Sequence, residues 1–475
     1  MEPHPLFING EWRETDETMA VVNPATEEEF AHVCTADAET VQTALGAAED
    51  ALSGWKSRTA KERADVLLSA AEELEKRSEK IATMITRENG KPVEQSQGEV
   101  NMSVDHLRWF AEEARRAYGR IVPHQEQGKR HLVIRVPVGV VGAISPWNFP
   151  LVLSVRKAAP ALAAGCPVVL KPSSRTPLCA LQLAECLEAA GCPRGVFQVV
   201  AGNASQIANQ MFSTPSCRKV SFTGSTGVGK QLIRQSADTV TNISMELGGH
   251  APLLVFADAD LEDAVEGAMI TKFRNTGQSC IASNRIYVER DVYDEFLDMF
   301  VERAKELTVG DGLEGNIDIG PMIDQSSLNS ALQQIQDAVA QGARCLCGGG
   351  RKAGTGFFLE PTVLADVPGD SVCMDEETFA PVAPVVPFDE ENEGVARAND
   401  TEYGLAAYAY TRDIGRAMRL GEVLEAGTVG INDAVPSTSI CPFGGMKQSG
   451  VGRELGSEGL DAFLETKHVS MGSIS

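Results

Sequence analysis

Val138-Gly139-Val140-Val141-Gly142-Ala143-Ile144-Ser145-Pro146-Trp147-Asn148-Phe149-Pro150 passes from an unbroken apolar run into a polar turn flanked by prolines. A short run of this kind, bounded by turn residues, predicts a strand, Val138 to Ile144, buried on both faces. Leu151 to Ala164 then reads as a helix. The alternation continues through strand Val168 to Lys171, helix Leu178 to Ala190, strand Phe197 to Val200 and helix Ala204 to Met211. Strand Lys219 to Phe222 and helix Gly227 to Gln235 complete the block. Short apolar segments alternating with amphipathic ones predict an α/β fold, a parallel sheet covered by helices on both faces. Such a sheet binds a nucleotide outside the carboxyl ends of its strands.

N-terminal to this block, residues 6 to 35 read as short strands and turns, with Asn9-Gly10 and Asn23-Pro24 as turn signals. Val41, Leu45, Ala48, Leu52 and Trp55 fall at helical spacing after Asp37. A capping box, Thr59-x-x-Glu62, opens the next helix. Leu67, Ala71, Leu74, Ile81 and Ile85 carry it as one segment to the stop Asn89-Gly90-Lys91-Pro92. A third helix, around Val100, Val104, Leu107 and Ala111, ends near Gly119. All three read as scaffold without chemistry. From residue 131 the period changes: Leu132, Ile134 and Val136 alternate with His131, Val133 and Arg135, as in an exposed strand.

On the C-terminal side a second alternating block begins near Leu253. It holds helix Leu261 to Phe273, strand Arg285 to Val288, helix Val292 to Leu307 and helix Leu328 to Gln341. Beyond Gly348-Gly349-Gly350, alternation of strand and turn is expected as far as Gly430. No fixed repeat and no low-complexity linker separates the blocks, so they are expected to pack together around a cleft.

Whole-chain properties narrow the function. A chain of 475 residues exceeds one ordinary core and predicts two or three domains. Its 43% hydrophobic and 23% charged residues are those of a globular protein. A formal charge of −24 would repel nucleic acid or an anionic membrane, so neither is expected as a partner. Met1 to Phe7 shows no basic region followed by an apolar one, and no signal peptide is expected. The longest mostly apolar run, Ala158 to Leu170, is broken by Pro160, Gly165 and Pro167 and is too short to span a bilayer. The 11 cysteines form no Cys-x-x-Cys, and no His-Glu-x-x-His occurs. Cys345 and Cys347 have no partner cluster. Free thiols in a reducing cytoplasm, and no metal, are the expectation.

The chemistry centres on Phe273-Arg274-Asn275-Thr276-Gly277-Gln278-Ser279-Cys280, which sets one cysteine after a small, polar run where its thiol can meet a ligand. Met245-Glu246-Leu247-Gly248-Gly249-His250 places a carboxylate beside a flexible glycine pair. A thiolate that attacks a carbonyl and a carboxylate that later activates water suffice for covalent catalysis with hydrolytic release. The Asn148 amide, at the carboxyl end of a strand, can donate to an oxyanion; the alternative is a plain turn. Phe222-Thr223-Gly224-Ser225-Thr226-Gly227-Val228-Gly229-Lys230 reads as strand, glycine-rich turn and helix start, suited to phosphate. Its spacing departs from Gly-x-Gly-x-x-Gly.

Pro146-Trp147-Asn148-Phe149-Pro150, Lys171-Pro172-Ser173, Phe222-Thr223-Gly224-Ser225, Glu246-Leu247-Gly248-Gly249, Gly277-Gln278-Ser279-Cys280, Glu376-Glu377-Thr378-Phe379-Ala380-Pro381 and Pro442-Phe443-Gly444-Gly445 occur in this order over most of the chain. Together they closely resemble the aldehyde dehydrogenase superfamily. Lys272 to Gln278, Asn399 to Leu405 and Gly445-Met446-Lys447-Gln448-Ser449-Gly450 look most like its succinate-semialdehyde dehydrogenase branch. The resemblance implies a Rossmann-like cofactor domain at 1–119 and 138–247, an α/β catalytic domain at 248–455, and a small β bridge at 120–137 and 456–475. That bridge usually pairs subunits into dimers or tetramers.

It also implies roles. Cys280 would attack the aldehyde, with Asn148 and the Cys280 N–H holding the oxyanion, and Glu246 would be the base that releases the acid. Ser145, Pro146, Trp147, Lys171, Ser173, Ser174, Arg175, Gly224, Ser225, Leu247, Glu377 and Phe379 would bind the cofactor. Arg156, Arg274, Ser437 and Phe443 would bind the substrate. Many NAD-using relatives carry a glutamate at the position of Ser174; its absence, with Arg175 next to it, should admit the 2′-phosphate of NADP. NADP is therefore expected ahead of NAD. Ala380 replaces the family's usual glycine, and a slightly altered backbone is expected there. Ala282 stands where some semialdehyde dehydrogenases carry a second cysteine, so no local disulfide is expected.

Two arginines suit an aldehyde with a distal carboxylate, succinate semialdehyde first. Alternatives are glutarate semialdehyde, sulfolactaldehyde, or a catalytically inactive structural relative. Either arginine could instead pair with a surface acid.

Overall fold

The computed structural model describes residues 2–472. Met1 and the last three positions of the expected bridge segment lie outside the described residues.

The alternating block forms an eight-stranded sheet. Phe197–Val199, Val168–Lys171, Val140–Ile144, Cys217–Thr223 and Asn242–Glu246 lie side by side and parallel. Leu6–Ile8 and Glu11–Arg13 close one edge, and Gly450–Val451 the other, all antiparallel. Pairing of Ile144 with Lys171, Phe222 with Ile144, and Thr223 with Glu246 brings the carboxyl ends of four strands into one row. Asn242–Glu246 is not anticipated from sequence, because Asn-Ile-Ser-Met-Glu offers too few apolar residues for a buried strand. Its formation moves Glu246 from a loop onto the end of the sheet.

A seven-stranded sheet runs Arg344–Cys347, Thr362–Ala365, Val382–Phe388, Ser283–Glu289, Ala251–Val255, Ala406–Tyr410, Thr428–Ile431. It is parallel except for its first pair. Leu464–Met471, Arg130–Pro137 and Arg120–Val122 make a separate three-stranded antiparallel sheet. Within Arg130–Pro137 the buried residue is Val133, whereas Ile134 faces outward.

Several expectations need correction. The segment after Thr59 is two helices, Ala60–Lys76 and Ser78–Asn89, broken at Arg77 (φ −103°, ψ 12°). The polar stretch Glu75-Lys76-Arg77-Ser78-Glu79-Lys80 interrupts the apolar stripe there. Helices Glu391–Asn399 and Ile414–Val423 replace the expected turns. The first buries only Gly394 and Ala398 and the second only Leu420, and the internal glycines Gly394, Gly415 and Gly421 read as turn signals in the sequence. Among the described residues, no helix is long and apolar enough to cross a membrane.

Candidate active site

The turn after Val140–Ile144 leads into helix Val152–Ala164, and side chains fix its course. The hydroxyls of Ser145 and Ser154 share a hydrogen bond of 2.9 Å, and Ser154 also donates to the Pro150 carbonyl at 2.7 Å. Asn89 Nδ2 donates to the Trp147 carbonyl at 3.0 Å. The Asn148 carbonyl accepts from Lys91 Nζ at 2.7 Å and Asn275 Nδ2 at 2.9 Å. Asn148 is thereby held with its side-chain amide donating to the Gln278 carbonyl at 3.2 Å. Asn89 and Lys91 were legible only as a helix stop. Nothing in a single sequence announces that this lysine turns inward.

Helix Leu261–Phe273 delivers the chain to Cys280 through three consecutive left-handed residues, Asn275 (φ 52°), Thr276 (φ 59°) and Gly277 (φ 68°). A β-branched residue in that region is strained. The strain is held by bonds on every side. Thr276 donates to the Gly320 carbonyl at 3.1 Å, Gln278 Nε2 to that of Pro321 at 3.2 Å, and the Ile323 N–H to Gln278 Oε1 at 2.9 Å. Gly277 has no room for a Cβ because the Ala380 carbonyl lies there; at Gly249 the Cys280 carbonyl does the same. Ala380 itself avoids the left-handed region, and Phe379 takes it instead (φ 46°). Tyr408 pins the far side, its hydroxyl donating to the Ile281 carbonyl at 2.8 Å. Burial, with the Glu377 charge second, pushes the Cys280 thiol up to about 12, while Arg156 acts the other way. The thiol is therefore protonated at neutral pH in this state.

Glu246 is buried at the end of its strand, and neither carboxylate oxygen has a hydrogen-bond partner. Burial first, then the neighbouring Glu454 carboxylate, raise it well above the ordinary carboxylate range; Lys157 and Arg156 oppose them. Lys157 Nζ reaches both Thr223 Oγ1 at 2.7 Å and Glu454 Oε1 at 2.6 Å. An unpartnered buried carboxyl whose pKa is raised is suited to accepting and returning a proton.

A cavity of about 210 Å³ opens on Cys280, lined by Pro146, Trp147, Asn148, Thr223, Gly224, Ser225, Leu247, Gly248, Glu377 and Phe379. The rings of Trp147 and Phe379 meet edge to face at 5.5 Å. Glu377 Oε1 accepts the Gly249 N–H at 3.1 Å, and burial raises its carboxyl to about 7. Ser225 caps helix Thr226–Thr239, whose N-terminal amides face this end of the sheet. Leu247 packs where Gly229 lacks a Cβ.

Ser145, Lys171, Ser173, Ser174 and Arg175 lie outside the cavity lining. Lys171 sits buried at its strand end, and burial lowers it to about 8. Ser173 accepts the Arg175 N–H at 3.2 Å, and Ser174 is exposed. Arg175 forms an exposed ion pair with Asp324 at 2.7 Å. The residues present fit a dinucleotide: a helix N-terminus for phosphate, a buried lysine and a carboxylate for ribose hydroxyls, and an aromatic pair beside the thiol.

Of the expected substrate residues, Arg156 contacts two others, Ser437 and Phe443. Arg156 is buried, donates from Nη2 to the Ser437 hydroxyl at 3.2 Å and lies over the Phe443 ring at 4.9 Å. Its Nε is buried without a partner. Arg274 is half-buried, 5.7 Å from the centroid of the Phe149 ring, and its positive charge helps lower Arg156, behind burial. Among the described residues, no carboxylate forms an ion pair with either guanidinium.

Comparison with known proteins agrees with this geometry. Residues 12–469 match the model of the aldehyde dehydrogenase family. The NADP(+)-dependent succinate-semialdehyde dehydrogenase of Escherichia coli K12 is 46% identical over 468 residues, covering 98% of this chain and 97% of that protein. The 3-sulfolactaldehyde dehydrogenase of Pseudomonas putida is 48% identical over 470 residues, with 98% and 97% covered. A solved NADP-dependent enzyme from E. coli superposes with a TM-score of 0.98 at 45% identity, covering 99% and 98% of the two chains. A match spanning nearly the whole chain, in sequence and in fold alike, places this protein in the aldehyde dehydrogenase family.

Proposed function

We propose that this enzyme oxidises a short aldehyde bearing a remote anionic group to the acid, with NADP preferred over NAD and succinate semialdehyde as first substrate. The observation that carries the substrate class is the unpaired Arg156, joined to Ser437 and close in charge to Arg274. Two guanidinium groups that form no ion pair, one of them buried, are suited to receiving an anion from the substrate. Succinate semialdehyde, glutarate semialdehyde and sulfolactaldehyde all carry such an anion. The names of the E. coli and P. putida relatives support the same class.

In this reading Cys280 loses its thiol proton to water and adds as thiolate to the aldehyde carbon, and the thiohemiacetal oxyanion is received by the Asn148 amide and the Cys280 N–H. Removing one such donor typically costs about 3–4 kcal/mol in the transition state. Bound nicotinamide supplies a hydride acceptor. Trp147 and Phe379 fix the site for its ring, Glu377 and Lys171 hold ribose hydroxyls, and Ser225 with its helix receives phosphate. Ser145, Pro146, Ser173, Gly224 and Leu247 shape the cofactor's path. Glu246 takes a proton from water and the thioester on Cys280 is hydrolysed. Neutral Ser174 beside Arg175 supports NADP, although Asp324 shares that guanidinium.

We take 1–119 and 138–247 as the cofactor domain, 248–455 as the catalytic domain and 120–137 with 456–475 as the bridge, a division that the three larger sheets support, with Gly450–Val451 crossing to the edge of the first. Exposed Ile121 and Ile134 on the bridge support pairing of subunits into a dimer or tetramer. Unpaired thiols support a reducing cytoplasm.

The test is a panel of anionic and neutral aldehydes of matched length, each with NADP and with NAD, followed by absorbance of the reduced nicotinamide. The reading expects kcat/KM to be highest for an anionic aldehyde with NADP. Equal values for neutral and anionic members refute the substrate class.

A further inference from the structure

Lys91 lies between helices Ser78–Asn89 and Val93–Glu113, and Glu99 lies on the second. Their ion pair is 2.7 Å long, with both side chains at 0% exposure. The same ammonium donates to the Asn148 carbonyl at 2.7 Å and stands 3.9 Å from the centroid of the Phe149 ring. The other Glu99 oxygen accepts the N–H groups of Leu151 at 2.8 Å and Val152 at 3.2 Å, where helix Val152–Ala164 begins. One buried pair therefore grips the turn on both sides: the lysine at the Asn148 carbonyl, the glutamate just past Pro150.

The grip continues to the nucleophile. The Asn148 carbonyl also receives Asn275 Nδ2. That same amide donates at 3.0 Å to the Gln278 carbonyl, the oxygen to which Asn148 sends its own side chain. Lys91, Asn148, Asn275 and Gln278 thus form one connected network ending beside Cys280.

Burying two charges is expensive, and an apolar pair of similar volume often stabilises a fold as well or better. Stability alone gives little reason for this pair, whereas a charge-assisted bond to one chosen carbonyl gives a clear one. We propose that Lys91 and Glu99 are positioning residues that aim the Asn148 amide at the substrate oxygen, an inference resting on Asn148 as the oxyanion donor.

The experiment compares Lys91→Met/Glu99→Gln, which leaves no orphan charge, with the native enzyme, with Asn148→Ala, and with the triple variant. It measures kcat, KM for the aldehyde and Kd for NADP. A misplacement of about 1 Å at a reacting centre costs on the order of a hundredfold. The double variant is expected to lose about ten- to a hundredfold in kcat, with KM and Kd changed less than about threefold. The same pair of substitutions should cost less than about twofold once Asn148 is already alanine, because its route of action is gone. Should the double variant not fold, Glu99→Asp, which keeps a charged pair but withdraws it, carries the same test through the same measurements.

Unchanged kcat with Asn148→Ala impaired overturns this inference alone. So does an equal loss in both backgrounds, or a loss matched by weaker NADP binding. Full turnover by Asn148→Ala overturns the oxyanion reading and this inference with it.

Discussion

Arg156 donates to Ser437 across 3.2 Å, tying helix Val152–Ala164 to the segment that leads to Phe443. The contact leaves Arg156 Nε buried and unpartnered, so the guanidinium retains donor capacity for a ligand. Arg274 supplies a second positive charge close enough to be felt.

Replacing Arg274 by alanine should therefore discriminate between substrates. Loss of a charge-assisted bond is worth about 1.5–3 kcal/mol, or roughly ten- to a hundredfold. We expect that fall in kcat/KM for anionic aldehydes and less than about threefold for neutral ones of equal length. Equal losses on both would remove the carboxylate-binding role.

Glu246, as the proposed general base, is expected to set the low-pH limb of turnover. Burial and Glu454 hold its carboxyl in the protonated form above the ordinary carboxylate range, and only the ionised form takes a proton from water. When hydrolysis limits turnover, kcat should rise with pH through that raised value and then level. Glu246→Gln should lose at least about a hundredfold in steady-state kcat, consistent with loss of general-base catalysis, while still giving one equivalent of reduced nicotinamide in a burst. A Gln variant with the native limb would assign the titration to another group.

Cofactor choice is testable at Ser174, which is exposed beside the Arg175–Asp324 pair. A glutamate there would repel a 2′-phosphate and accept from ribose hydroxyls. We expect Ser174→Glu to raise KM for NADP by about tenfold or more and to lower KM for NAD. The ratio of kcat/KM for the two cofactors, measured with one aldehyde, is the readout; an unmoved ratio contradicts the assignment.

Much of this arrangement is legible in the sequence itself. Strand Val168–Lys171 and helix Ala38–Ser57 lie where their apolar patterns place them, because buried strands and amphipathic helices write their period into the chain. Lys91 and Glu99 escaped notice for the opposite reason. A buried ion pair is defined by long-range geometry, and its members look like surface residues beside a helix stop. Helix Ile414–Val423 is amphipathic, but Gly415 and Gly421 within it read as turn residues. The left-handed Thr276 was equally hidden: its conformation is imposed by Gly320, Pro321 and Ile323, far along the chain.

The nucleophile itself can be weighed. With enzyme, NADP and succinate semialdehyde mixed and quenched in acid within the first turnover, peptide mapping by mass spectrometry should find a succinyl group on Cys280. Glu246→Gln should accumulate it toward one per chain. Productive oxidation with Cys280 never modified, or undiminished activity in Cys280→Ala, would contradict the account.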